Sequence, residues 1–377
     1  MKCFAAVVVV LGLLGQGLAD TDKCDSSNCA IENNCRCSTA ENPIDVSEAP
    51  QLVVLAFVEA LTSELYTSRW SVLLESRKNP DDSYIGATFY VPHEYTDYQR
   101  VQDLAAIGFE VGVHSISSLS ISSNDPHQDY WKDANQSLLE LEFGGQRTII
   151  SKFANIPEEY ITGVMTPQLQ LSGDNSINAF KAQGFSYDSS WHSKTALFPY
   201  TLDYLSGQVC DVGSNCPTES HPGFWEAPIN DLAGQNNAVC ATVAACFKNT
   251  TDLTKQEVSD FVYQQVEKQR NKKKAPVTLI IESTWFDQVE TSWDGLVDAL
   301  DRLEALDDVF FVTQARVIEW LKDPQPISNF TTNLKEVTAG CSQYSCTLTK
   351  PDGTTRYMNS CIPCPKTYPW LGNPEGN

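Results

Sequence analysis

Between residues 50 and 322 the chain keeps returning to one pattern: a short run of β-branched and aromatic residues, a turn, then a longer stretch with apolar residues at helical spacing. The runs 52–57 (LVVLAF), 87–91 (ATFYV), 110–114 (EVGVH), 161–165 (ITGVM), 185–188 (FSYD), 224–229 (FWEAPI), 277–281 (VTLII) and 308–312 (DVFFV) read as strands. The stretches 64–76, 97–107, 129–154, 176–183, 254–272 and 291–306 read as helices. Capping-box signals stand at Thr96-x-x-Gln99 and Thr254-x-x-Glu257, where side chains would satisfy otherwise orphaned backbone groups. Alternation of this kind predicts an α/β fold, a barrel of parallel strands ringed by helices. A doubly wound open sheet is the alternative; no G-x-G-x-x-G follows the first strand, which argues against a dinucleotide site. The first strand poses a question, because its apolar run breaks at Val58-Glu59.

The flanks differ in composition. Residues 1–19 (MKCFAAVVVVLGLLGQGLA) carry one Lys, an apolar stretch and small residues Gly17 and Ala19 in cleavage-site spacing, which predicts a secretory signal peptide. That apolar stretch is shorter than the roughly 20 residues a membrane span needs, and no other segment reaches that length. Residues 20–42 form a Cys-rich strap, 43–325 the barrel, and 326–377 a Cys-rich tail whose CTLTKPDGTTRYMNSC reads as a hairpin turning at Pro351-Asp352-Gly353. Of thirteen cysteines Cys3 leaves with the leader, and the even remainder fits disulfides in an oxidising compartment. Cys361-x-x-Cys364 is read the same way rather than as a zinc or redox site, with the connectivity open. Sequons at Asn135, Asn249 and Asn329 suit glycosylated surface loops. A formal net charge of −22 argues against nucleic acid as a partner. The Asn271-Lys-Lys-Lys274 run reads as a solvated helix end.

In an α/β barrel the chemistry sits where the strands' carboxyl ends meet. The residues there are Val58-Glu59, His114, Met165, Asp188 and Glu282. The phrases ATFYVPHEYTDYQRVQDLAAIGFEVGVHSIS, GGQRTIISKFANIPEEYITGVMTPQLQLSGDN, GFSYDSSWHS, FPYTLDY, FWEAP and Trp285-Phe286 resemble the insect chitin deacetylases of the polysaccharide deacetylase (NodB-like) family, carbohydrate esterase family 4. The likeness runs through about residues 45–325, and the tail is similar to gut-type members without a peritrophin module. It implies a distorted (β/α) barrel holding Zn²⁺ on one Asp and two His. An Asp base would activate the metal-bound water, a His acid would protonate the leaving amine, and an Arg would orient the base.

This chain departs from that pattern at almost every reacting position. Val58 stands at the base, Met165 at the Arg and Glu282 at the acid. The metal-ligand positions hold Glu59, His114 and Ser118, of which only His114 is unchanged. Asp188-Ser189-Ser190-Trp191 is kept. The expectation is a secreted, monomeric, catalytically silent relative without a resident cofactor, binding chitin or N-acetylglucosamine oligomers, with the gut lining suggested by resemblance. Asp188, Trp191 and Trp285 are the candidate sugar contacts. The alternatives are a deacetylase using a weak metal site at Glu59, His114 and Glu282, or a matrix or partner-binding protein without sugar recognition. His93, His127, His192 and His221 read as structural.

Overall fold

The computed structural model describes residues 23–119, 129–210, 215–234, 238–247 and 252–377. The expected leader, the sequon at Asn249 and His127 lie outside them. The strands in chain order are β1 (Gln51–Val58), β2 (Thr88–Val91), β3 (Glu110–Val113), β4 (Gly163–Val164), β5 (Tyr187–Asp188), β6 (His192–Ser193), β7 (Tyr200–Leu202), β8 (His221–Glu226), β9 (Ile229–Asn230), β10 (Leu232–Ala233), β11 (Val239–Cys240), β12 (Val277–Ile281), β13 (Val309–Phe311), β14 (Tyr344–Thr349) and β15 (Thr355–Ser360). Nine of them make one sheet in the order β12-β1-β2-β3-β4-β5-β8-β7, with β13 also on β1. All eight expected strands are in it, and every pairing except β7 with β8 is parallel.

β1 is buried along all but its last residue, which suits a strand covered on both faces. Helices at 63–74, Tyr98–Ala106, 136–153, Asp174–Ala182, Lys255–Arg270 and Ser292–Glu304 wrap the sheet where the periodicity predicts them. A further helix, Gln314–Lys322, was not anticipated. The capping box at Thr254 and Glu257 is present. The one expected at Thr96 is not: Asp97 caps that helix by accepting from the Gln99 N–H at 3.0 Å, while the Thr96 hydroxyl donates to the Pro92 carbonyl. A carboxylate at the cap also faces the positive end of the helix dipole, which favours Asp over Thr. The third helix begins at Gln136 rather than 129, because Asn135 accepts from the Leu138 N–H and fixes the start there.

Among the described residues, sheet hydrogen bonding does not close the circle between β12 and the β7–β8 end, which is the distortion in the barrel. The seam is held by a side chain instead: Asn230 Nδ2 donates to the carbonyls of Leu197 (2.9 Å) and Pro276 (3.0 Å). The outer edge of β7 is covered by the strap, where Arg36 and Thr201 exchange backbone and hydroxyl bonds and the Phe198 N–H donates to Thr39. An unpaired edge strand invites association, so the strap protects it. Two disulfides, Cys24–Cys37 and Cys29–Cys35, close the strap. Four more join Cys210–Cys216, Cys240–Cys246, Cys341–Cys361 and Cys346–Cys364, so the Cys361-x-x-Cys364 pair serves two separate bridges.

The tail hairpin β14–β15 turns through Pro351-Asp352-Gly353, with Gly353 at φ 85°. It docks on the loop after β2 through Asn359 to Asp97 and Arg356 to Glu94. The lysine run is not simply solvated: Lys274 is buried, donating to the Ala49 carbonyl and pairing with Asp308 at 2.8 Å. Its aliphatic stem packs inward while the ammonium finds a carboxylate, which a charge run in sequence does not reveal. Asn135 and Asn329 are exposed.

The seam offers a direct test. Asn230→Ala leaves one buried and one part-buried carbonyl without their donor and is expected to cost about 1–3 kcal/mol. Urea unfolding reads this as a lower midpoint at unchanged slope; an unshifted midpoint means the seam is held by packing.

Candidate functional site

The rim residues arrive as the strand ends predict, but the chemistry they offer is altered. Met165, just past β4, is buried in an apolar cluster with Tyr90, Tyr187 and Ile280, and Val58, half-buried at the end of β1, packs against that cluster. Glu59 turns away from them to Ser283, whose N–H reaches both carboxylate oxygens at 3.2 Å and whose hydroxyl donates at 2.5 Å. Burial raises the Glu59 carboxyl to about 7, against the pull of the Ser283 hydrogen bonds, and the neighbouring Glu282 adds to the rise. Glu282 is itself raised by burial.

His114 is buried, and its Nδ1–H donates to the Met165 carbonyl at 2.7 Å. Burial lowers the imidazole to about 4 against that bond, so it is neutral near pH 7, with Nε2 as its acceptor. Ser118 takes φ 42°, its N–H bonded to the Ser115 hydroxyl. The loop between them is clamped by Glu142, which accepts from the N–H groups of Ile116 and Ser117 and from the hydroxyls of Ser117 and Tyr130. Glu142 and Ser283 were not foreseen, since both act across long sequence separations.

The rim is strained. Tyr95, Ser115, Ser118, Gln168 and Leu169, all in loops after β2, β3 and β4, take positive φ. Each costs an L-residue on the order of 1 kcal/mol and persists where its surroundings over-determine it.

Glu59, His114 and Glu282 do not converge into a metal site. Among the described residues the one cluster of three His, Cys, Asp or Glu ligand atoms within 4.8 Å of one another is Cys24, Cys29 and Cys37, and all three are in disulfides. A tetrahedral zinc site with an open position needs three protein ligands. The residues present do not fit that requirement: Glu59 is committed to Ser283, and a serine hydroxyl replaces one imidazole.

The three expected sugar contacts are inside. Trp191 is 4% exposed, its Nε1–H donating to the Val209 carbonyl. Trp285 is 0% exposed and stacks on Phe247 with centroids 5.6 Å apart. A ring must show a face to solvent to stack on a sugar, so in this structure both serve the core. Asp188 is fully buried, accepting from the N–H and hydroxyl of Ser190. It lies in register with Glu226 on β8. Glu226 faces the Asp188 carboxyl with only the Trp191 backbone N–H nearby among the described residues, and two ionised carboxylates cannot share so dry a place. The pair therefore holds a proton: Glu226 is kept protonated well above the usual range by burial and then by Asp188, and Asp188 is raised to about 6, chiefly by burial. The run FWEAPI carried Glu226 in plain view, but nothing in one sequence says which strand it faces.

The carboxyl groups and the buried imidazole stand at the strands' carboxyl ends, the face on which α/β barrels carry their sites. Chitin deacetylase 8 of Bombyx mori is 32% identical to this chain over 398 aligned positions, covering 100% of this chain and 99% of that protein. Chitin deacetylase 1 of Bombyx mori is 29% identical, covering 94% of this chain and 68% of that protein. Among solved structures, a "probable polysaccharide deacetylase" from Pseudomonas aeruginosa PAO1 superposes with a TM-score of 0.44 at 12% identity, covering 73% of this chain and 92% of that chain. No family model matches the chain. The chain belongs to the chitin deacetylase family of NodB-like polysaccharide deacetylases.

The carboxyl pair sets a pH dependence. Both groups have folded values above their unfolded ones, so the stability they contribute is complete below about pH 4 and is lost as pH rises through about 6 and beyond. Glu226→Gln supplies a permanent N–H donor to Asp188. It is expected to flatten that alkaline decline, raising the melting temperature at about pH 9 by roughly 2–4 °C per kcal/mol relieved. Parallel wild-type and variant curves across the range mean the pair does not hold the proton.

Proposed function

We propose that this is a secreted chitin deacetylase-like protein that binds chitin without deacetylating it. The observation that carries the reading is the coupled replacement of base and Arg positions by Val58 and Met165, which share an apolar cluster. Losing one member of a buried charged pair strands the other, whereas replacing both by apolar groups is close to neutral for stability. An apolar pair at these positions is therefore a settled arrangement of the core. Neither side chain can take or orient a proton.

The other positions support the same reading. Glu282 at the acid position is a carboxyl raised by burial, and His114 has its Nδ1 fixed by Met165. General acid and base contribute about 10²–10⁴ each, and a metal several kcal/mol more, so their joint loss takes the reaction far below its relatives. Secretion is supported by six disulfides among the described residues, a pattern of oxidising compartments. Chitin as ligand follows from the family. A gut lining as its place rests on sequence resemblance alone.

The deciding experiment measures acetate release from chitin oligomers by the mature protein with and without zinc, beside an active relative, together with retention on chitin beads. Retention without acetate is expected. Zinc-dependent release abolished by His114→Ala establishes a working altered site, and retention no better than a denatured control leaves a partner-binding role.

A double-mutant cycle tests the paired replacement. Val58→Asp alone is expected to destabilise by about 1–3 kcal/mol. Adding Met165→Arg should recover part of that, with a coupling of about 0.5–3 kcal/mol. Strict additivity means the two positions no longer communicate.

A further inference from the structure

With Trp191 and Trp285 in the core, the polymer needs another surface. Two cavities of about 420 Å³ each lie side by side between the N-terminal strap and the segment 193–209, and they share Ser38 and Gly207 on their walls. One runs past the Cys24–Cys37 bridge and Tyr204, the other past Ser193, Thr195 and Gln208. Together they form one groove along the outer flank of β7, beside the loop that holds Trp191.

We propose that this groove holds a neutral, N-acetylated polysaccharide chain; the inference rests on the chitin-binding reading and names where that binding occurs. The chemistry of the walls suits such a ligand. Among the described residues, the lining mixes apolar surface with hydroxyls and one amide, and no Asp or Glu takes part, in a chain with 48 of them. The charged groups on the walls are Lys23 and Lys194. A deacetylated, cationic polymer gains nothing there. Leu205 and Val209 stand 56% and 69% exposed along the rim, offering apolar contact to sugar faces and acetyl methyl groups.

The groove is also pre-formed, which limits the ordering cost of binding. Gln208 donates to the carbonyls of Trp191 and His192 and accepts from the Tyr200 hydroxyl, which in turn accepts from Ser206. The Tyr204 hydroxyl donates to Asn28 across the strap. Trp191 thus acts beneath the groove, its indole N–H holding the Val209 carbonyl.

Gly207 supplies the test. It lines both cavities and a Cβ built there meets nothing within 4 Å, so a large side chain fits at the groove wall without disturbing the fold. The assay is retention on chitin and on chitosan beads at about 1 M salt, where a Debye length of about 3 Å removes general attraction between the acidic protein and a polycation. Wild type and Gly207→Ala are expected on chitin and not on chitosan, with Gly207→Trp reduced about tenfold or more. The pair Leu205→Glu and Val209→Glu, at exposed positions, should weaken retention as well and serves if the Trp variant fails to fold. Undiminished retention of these variants, or equal retention of wild type on chitosan, overturns the groove while the chitin-binding reading stands. Wild type that passes through chitin freely overturns that reading and the groove with it.

Discussion

The structure depends on one strand. β1 is hydrogen-bonded in parallel to three others: Gln51–Val53 to β13, Val53–Phe57 to β12 and Ala56–Val58 to β2. Its side chains feed both apolar clusters, Val53, Leu55 and Phe57 into one and Leu52, Val54 and Ala56 into the other. A strand with this role has no freedom along its length, and a buried backbone that lost its ladder would leave polar groups unpaired. Only its carboxyl end can differ without collapse. That is why the apolar run reaches its last residue intact and breaks at Glu59: Val58 packs half-buried against the apolar cluster, and the Glu59 carboxyl accepts from Ser283 just past β12.

The same constraint bears on the residues around that end. A carboxylate and a guanidinium buried against each other are stable as a pair and costly as singles, whereas two apolar residues need no partner. Val58 and Met165 are such apolar residues, Met165 buried and Val58 packed against the same cluster. The Asp188–Glu226 pair solves the opposite problem. Two acids of like charge cannot be relieved by packing, and the proton between them is what makes their burial tolerable. The rim therefore holds one apolar pair and one acid pair whose charge is confined by a proton.

The sheet was legible because buried parallel strands read as apolar runs, and all eight runs appear in the nine-stranded sheet. The two-residue strands β6, β9, β10 and β11 carry no periodicity and could not be seen. The helix Gln314–Lys322 carried a signal, Thr313 at its cap followed by apolar Val317, Ile318 and Leu321 inward, but it is short and abuts the tail. Rim positions were legible through their order along the chain. Their partners were not: Ser283 for Glu59, Glu142 for the loop after His114 and Glu226 for Asp188 are set by tertiary register. Trp191 and Trp285 show the same limit, because an aromatic residue beside a strand end reads alike whether its ring faces a cleft or the core.

An edge strand supplies the last step. β7 ends the sheet antiparallel to its neighbour, and something must cover it. The strap does so at residues 36–39, and two short disulfide loops keep it there, since a segment of that length has too small a core to hold itself in place. Covering an edge with a covalently closed segment rather than a further strand leaves a channel between the cover and the loop that returns toward Trp191. The channel's walls are rigid for reasons of stability, and its lining carries no carboxylate among the described residues although the protein is strongly acidic. The flank is built from the strap and the β7 edge and shares no residue with the strand ends at Glu59, His114 and Glu282, so the two places can change independently.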